Sequence, residues 1–292
     1  MKVGYCGLIG KPNVGKSTIL NALLKYKLSA ISPKPQTTRH RILGILTEDD
    51  YQVLFLDSPG ILTPKYPLQE LMIKEIEGII DDSDLLLFIA SADGPPDEEE
   101  EKVLRRLITE KKPTIIVINK IDLVPKDSLL PIMADYQEMG FEDIYPISAL
   151  HLIGLEELKK GIVARLPEGV PYYPPEEISD RSERFFVAEA IKEAIFTLYG
   201  EEIPYATTVE IDEFKERERG KDYIRAIIYV EKPSQKKIII GEGGKAIKKL
   251  GSLARKNIET FLHKGVYLEL WVKVQEGWRK DINFIKEKVY RE

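Results

Sequence analysis

Near its start the chain reads Gly10-Lys11-Pro12-Asn13-Val14-Gly15-Lys16-Ser17-Thr18, and this stretch follows an apolar, strand-like run, Tyr5–Gly10, and opens a helical pattern. The spacing GxxxxGK[ST] on a strand-loop-helix is that of a loop wrapped around phosphates. Gly10 and Gly15 supply backbone freedom and close approach, and successive N–H groups face the anion at a helix N-terminus. Lys16 brings a flexible ammonium to the β- and γ-phosphates, and Ser17 brings a hydroxyl to magnesium. Such a loop needs a parallel sheet to hold it. Runs at Val53–Asp57, Leu85–Ala90, Thr114–Asn119 and Ile144–Ser148 alternate with helical patterns, which predicts a mostly parallel α/β sheet flanked by helices. Ile42–Thr47 and Val53–Leu56 add an antiparallel hairpin.

That sheet accounts for only part of the 292 residues. Residues 166–178 contain four prolines and a glycine, which resist helix and central strand alike. The organisation expected is a domain over 1–170, a linker over 171–182 and a smaller α+β domain over 183–292. Charge divides along the same line. Residues 1–180 carry 20 Lys/Arg against 29 Asp/Glu, whereas 181–292 carry 23 against 19. Within 232–264, nine basic residues face only Glu242 and Glu259, a concentration suited to a polyanion. No apolar stretch approaches the roughly 20 residues that span a bilayer, and the single cysteine, Cys6, lies in an apolar run. A reduced, cytoplasmic protein is the expectation.

The phosphate loop does not choose the base. Asn119-Lys120-Ile121-Asp122 ends the strand Thr114–Ile118, at the sheet edge where ligands of open α/β folds gather. The Asp122 carboxylate accepts from both the ring N–H and the amino group of guanine, a pair adenine lacks. Asn119 braces the site and the far edge of the base, and the Lys120 stem covers one face. Ser148-Ala149-Leu150 ends the last strand, placed for a backbone N–H to meet the guanine oxygen. GTP and GDP are therefore the expected ligands.

Asp57-Ser58-Pro59-Gly60 ends another apolar strand. Asp57 is expected to hold magnesium through water, and Gly60 to set its N–H against the γ-phosphate, so that losing that phosphate frees the segment 58–70. Upstream, Thr38 in Gln36-Thr37-Thr38-Arg39 is the candidate second hydroxyl for magnesium, with Thr37 as its substitute. Lys16, Thr38 and Gly60 form the expected catalytic set, and Ser17, Thr38 and Asp57 the metal set. Ile61 stands where many switch GTPases carry a water-orienting glutamine, so slow turnover is expected; Asn13 is a candidate to help hold a potassium ion. His40, His151 and His263 lack metal-ligand spacing and are expected to be surface or packing residues.

In the C-terminal third, Asp180 and Glu183 form a candidate capping box for a helix with the stripe Val187, Ile191, Ala194, Ile195 and Leu198. The element order read here is helix, two strands, two helices, strand, helix. The alternating runs Tyr223–Val230 and Val266–Val274 enclose Ile240-Gly241-Glu242-Gly243-Gly244-Lys245, followed by Lys248 and Lys249 on an amphipathic helix. This resembles a KH domain of the type II topology, whose GXXG loop clamps about four nucleotides of single-stranded RNA. Glu242 puts a carboxylate in that loop, so backbone N–H groups and the three lysines must carry the attraction to phosphate.

Taken together, Gly10–Ser17, Gln36–Arg41, Asp57–Gly60, Asn119–Asp122, Ser148–Leu150 and the GXXG loop resemble the Era family of translation-factor-class GTPases over essentially the whole chain. The resemblance implies a monomeric GTPase that binds the 3′ region of small-subunit ribosomal RNA, assists small-subunit assembly, and in some members touches the inner membrane peripherally. The residues alone leave two alternatives, a GTP-liganded RNA-binding module with negligible turnover and an ATP-driven RNA remodelling enzyme. Asp122 speaks against the second.

Overall fold

A computed structural model describes residues 1–290 of the chain and divides into two compact units. The first holds Met1–Ser29, Thr38–Thr63 and Met72–Asp180; the second holds Ala30–Thr37, Pro64–Leu71 and the remainder from Arg181.

The first unit is built on six strands, β1 (Lys2–Ile9), β2 (Ile42–Glu48), β3 (Tyr51–Asp57), β4 (Leu85–Ser91), β5 (Thr114–Asn119) and β6 (Ile144–Pro146), in the order β2-β3-β1-β4-β5-β6. Only the β2/β3 hairpin is antiparallel; the remaining pairs are parallel, with Tyr5 beside Leu54 and Cys6 beside Leu85. β4 is buried from Leu85 to Ala90 because helices cover both faces of a parallel sheet, which requires continuous rather than alternating apolar sequence. The helices are α1 (Lys16–Leu24), α2 (Pro67–Asp82), which belongs to this unit from Met72 onward, α3 (Glu98–Thr109), α4 (Leu129–Glu138) and α5 (Leu155–Arg165). The Asp97 carboxylate caps α3 by accepting from Glu99 N and Glu100 N, while Glu100 returns a bond to Asp97 N.

The proline-rich segment is held down. Gln52, fully buried in β3, donates through Nε2 to Tyr173 O (2.8 Å) and accepts at Oε1 from Tyr172 N (2.8 Å) and Tyr173 N (3.1 Å). Further along, Ile45 N of the edge strand β2 donates to Ile178 O and the Ser179 hydroxyl donates to Leu43 O. Residues through Asp180 therefore belong to the first unit, although composition alone marks 171–182 as linker. Covering an edge strand in this way also protects its unpaired backbone groups.

The second unit contains α6 (Glu183–Leu198), β7 (Thr207–Lys215), β8 (Asp222–Val230), α7 (Pro233–Ile240), α8 (Lys245–Leu262) and β9 (Val266–Val274). β8 lies between β7, antiparallel, and β9, parallel, with Ile224 beside Leu268 and Ala226 beside Leu270. Val187, Ile191, Ala194 and Ile195 of α6 pack with Leu250, Ala254 and Ile258 of α8 over the inner sheet face. This helix-strand-strand-helix-helix-strand arrangement is the type II KH topology. Two local expectations change. Ser182, not Asp180, caps α6 by accepting from Phe185 N, because Asp180 lies with the first unit. The expected last helix is broken into a 3₁₀ turn at Trp278–Lys280, one helical turn at Ile282–Phe284 and a wide π-type turn at Ile285–Val289. Trp278 fixes that segment, fully buried with Nε1 donating to Ala206 O at 2.9 Å.

Candidate nucleotide site and RNA clamp

The phosphate loop joins β1 to α1, and α1 begins at Lys16. Gly15 lies at φ +103°, and a Cβ there would stand 2.2 Å from Asn119 Nδ2, so both conformation and space demand glycine. Lys16 is 6% exposed, and its ammonium donates to Gly10 O (3.0 Å) and Lys11 O (2.7 Å) across the loop. Burial pulls its pKa down to about 8, with Asp57 opposing. Lys11 pairs with the Asp97 carboxylate, tying the loop to the start of α3.

The three expected metal ligands meet at one place. Ser17 Oγ donates to Asp57 Oδ2 at 2.7 Å and lies 3.1 Å from Thr38 Oγ1. Asp57 is fully buried, and burial raises its pKa while the Ser17 bond and Lys16 oppose the rise. Its second oxygen, Oδ1, is buried without a hydrogen-bond partner. A buried carboxylate oxygen left unpaired is costly, and beside two hydroxyls it fits a hard divalent cation that takes oxygen ligands. Thr37 is directed elsewhere, its hydroxyl donating to Lys34 O at 2.9 Å. Gly60 is pressed against the loop, where a Cβ would meet Pro12 N at 2.6 Å, and Ile61 N donates to Gly10 O at 3.0 Å. The Ile61 side chain packs on the hydrophobic core, so it presents no polar group to a water.

At the base end, Asn119 knots three loops. Its Nδ2 donates to Val14 O (2.8 Å) and its Oδ1 accepts from Ala149 N (3.0 Å), so this amide positions the phosphate loop and the Ser148–Leu150 loop. Asp122 Oδ1 accepts from Ser148 Oγ at 2.5 Å, and that bond holds the Asp122 carboxyl below its ordinary range. His151, expected to be a surface or packing residue, lies with Nε2 3.6 Å from Asp122 Oδ2.

The family model described as a 50S ribosome-binding GTPase matches residues 5–120, and that of the KH domain matches 202–279. Over the full length of both chains, the structure is similar to that of an Era variant from Aquifex aeolicus bound to GDP and aluminium fluoride, at 39% identity and TM-score 0.96. The chain belongs to the Era family. A second Era structure, in complex with MgGDPNP and nucleotides 1506–1542 of 16S ribosomal RNA, matches equally, again at 39% identity, full coverage of both chains and TM-score 0.96. As an Era-family protein the chain is a GTPase with a KH RNA-binding domain.

In that KH domain, Gly241, Gly243 and Gly244 have φ of +70°, +57° and +75°, positive values open to glycine, and Gly243 and Gly244 are left-handed where α7 turns sharply into α8. Glu242, Gly243, Lys245, Lys248 and Lys249 are exposed, while Ile240 is half-buried. Leu268 and Leu270 lie on the inner face of β9 yet remain half-buried, because β9 is an edge strand, and like Ile240 and Ile247 they pack against the core of this unit.

Sequence reasoning also missed what segment 30–37 touches inside the second unit. Lys34 Nζ donates to Phe196 O (2.6 Å) and to Tyr199 O, capping the C-terminal carbonyls of α6 with a positive charge. Ile31 N donates to Glu193 Oε1 at 3.2 Å, and Asn257 of α8 donates to Glu193 Oε2 at 3.2 Å. From segment 64–71, the Tyr66 ring stacks under the Arg279 guanidinium at 5.1 Å.

Proposed function

We propose that this chain is a GTP-driven switch whose nucleotide state gates a single-stranded RNA clamp, and that its RNA is the 3′ region of small-subunit ribosomal RNA during small-subunit assembly. The observation that carries the gating is the division of one short segment. Thr38 stands beside Ser17 in the nucleotide unit, and the preceding residues 30–37 belong to the unit that contains the GXXG loop. A ligand that moves Thr38 pulls on residues bonded to α6. The related Era complex with 16S ribosomal RNA supports the choice of RNA. Gly241–Gly244 would hold the RNA backbone with N–H groups, Lys245, Lys248 and Lys249 would neutralise phosphates, and Ile240, Ile247, Leu268 and Leu270 would receive the bases.

At the nucleotide, Asp122 would accept from the guanine edge and Lys120 would cover its face. Lys16 would bind the β- and γ-phosphates, regaining from them the stabilisation of its charge that burial removes. Ser17, Thr38 and Asp57 would hold magnesium, which neutralises phosphate oxygens during transfer. Gly60 would direct its N–H at the γ-phosphate. We carry over from the family a cytoplasmic monomer with peripheral membrane association; among the described residues no helix is long and apolar enough to cross a membrane.

With Ile61 turned into the core, no side chain at that position orients the attacking water. Unassisted hydrolysis is therefore expected on the order of 10⁻⁴ to 10⁻² per second. Asn13, at φ +64° in the phosphate loop, would help hold a potassium ion that supplies the missing positive charge. Phosphate release should then be faster in potassium than in sodium and faster again with RNA. Equal rates in the two salts would remove the potassium role, and no release under any condition would remove the switch.

A further inference from the structure

The loop after β6 is closed by a reciprocal backbone pair, Ser148 N to Ile153 O (3.1 Å) and Ile153 N to Ser148 O (3.0 Å). Four residues make the turn. Leu152 adopts φ +58°, a left-handed conformation that non-glycine residues seldom take, and its side chain is exposed, as is that of Leu150. Apolar packing does not hold this tip. What holds it is polar: His151 N donates to Ser148 Oγ (3.4 Å), Ser148 Oγ donates to Asp122 Oδ1, and His151 Nε2 reaches 3.6 Å from Asp122 Oδ2. Strained backbone that survives without packing points to function at the residue it positions.

We propose that His151 is a positioning residue that makes guanine binding pH-responsive, its imidazolium competing with the 2-amino group of guanine for Oδ2 of Asp122. The proposal rests on the reading of Asp122 as the guanine acceptor. That acceptor needs one oxygen for the ring N–H and one for the amino group, and Ser148 already bonds Oδ1. At 3.6 Å the neutral imidazole makes no hydrogen bond to Oδ2, whereas the protonated ring forms an ion pair there. The charged group facing His151 is Asp122, on which Lys120 also acts; Asp122 stays ionised throughout because its carboxyl is held below the ordinary range.

The sign follows from competition. Guanine binding disfavours the proton on His151, so nucleotide affinity falls as the pH is lowered. His151 is 56% exposed, so solvent screens the pair and the effect is modest, about two- to fivefold in Kd. The experiment is GDP binding from pH 8.5 to 5.5 by the full chain and by His151→Gln, repeated with inosine diphosphate, which lacks the amino group. Lys16 and the phosphates titrate alike in both proteins, so only the difference between the two profiles reports His151. The expected result is a GDP affinity that His151→Gln preserves at low pH better than the parent by that factor, with no such difference for inosine diphosphate. Superimposable GDP profiles, or an equal difference for both nucleotides, would overturn the proposal. If Asp122→Asn still shifts base preference when that happens, the failure belongs to His151 and not to the guanine site.

Discussion

Asp122→Asn should lower GTP and GDP affinity by at least about a hundredfold and make xanthine nucleotides the preferred ligands. The carboxylate has only acceptors, matched to the two donors on the guanine edge; an amide there sets a donor against the guanine amino group. Hydrogen bonds to a charged group contribute roughly 1.5–3 kcal/mol each, and a factor of ten in Kd corresponds to about 1.4 kcal/mol, so losing one such bond and leaving a donor unpaired gives at least that factor. Xanthine has a carbonyl in place of the amino group, which the new amide donates to. Ser148 would still bond the remaining oxygen, so the loop should keep its shape. Competition of GDP and XDP for one labelled nucleotide measures the exchange. Unchanged guanine preference would move the base-reading role away from Asp122.

The other large effect is at the clamp. Replacing Glu242 and Gly243 together by Asp, Glu242→Asp with Gly243→Asp, should weaken RNA binding by roughly a hundredfold or more, since like charges set against the phosphate backbone cost several kcal/mol. Fold is not expected to suffer. A Cβ on Gly243 meets nothing within 4 Å, and aspartate tolerates the left-handed conformation at φ +57° better than most residues. GDP affinity should stay at the parent value, because Asn119, Asp122 and the phosphate loop lie in the other unit. RNA binding that survives in a protein with an unchanged circular dichroism spectrum would place the clamp elsewhere.

The candidate nucleotide site could be assembled from sequence because its parts are short contiguous motifs, most of them at strand ends, where backbone geometry fixes what side chains meet. The structure brings Ser17 at the start of α1, Thr38 in the connection before β2 and Asp57 at the end of β3 together, and it separates Thr38 from Thr37 on hydrogen bonding, a choice the dipeptide itself left open. Contacts between distant residues were not legible. Nothing in Gln52 announces that it grips Tyr172 and Tyr173, and nothing in Lys34 announces α6, because neither pairing leaves a local pattern. β7 was hard to delimit because its register shifts between Ile211 and Glu213, which breaks the alternation that marks β8 and β9. His151 carried no signal at all: its role depends on a loop closed at Ser148 and Ile153 and on a carboxylate 29 positions earlier.

Several contacts converge on Glu193 and Lys34. Glu193 accepts from segment 30–37 and from α8, the helix that follows the GXXG loop, while Lys34 holds the same segment to the end of α6. Gating through this segment needs the two nucleotide states to place Thr38 differently, and coupling between two binding sites is reciprocal. The direct measurement is the affinity of a single-stranded RNA, carrying the 3′ region of small-subunit ribosomal RNA, for the full chain with a non-hydrolysable GTP analogue and with GDP, at one fixed salt concentration. Nucleotide gating requires the RNA to bind about 5- to 150-fold more tightly in the GTP-analogue form, and the RNA to favour the analogue over GDP by the same factor. Equal RNA affinities in the two nucleotide states would show that the switch and the clamp work independently.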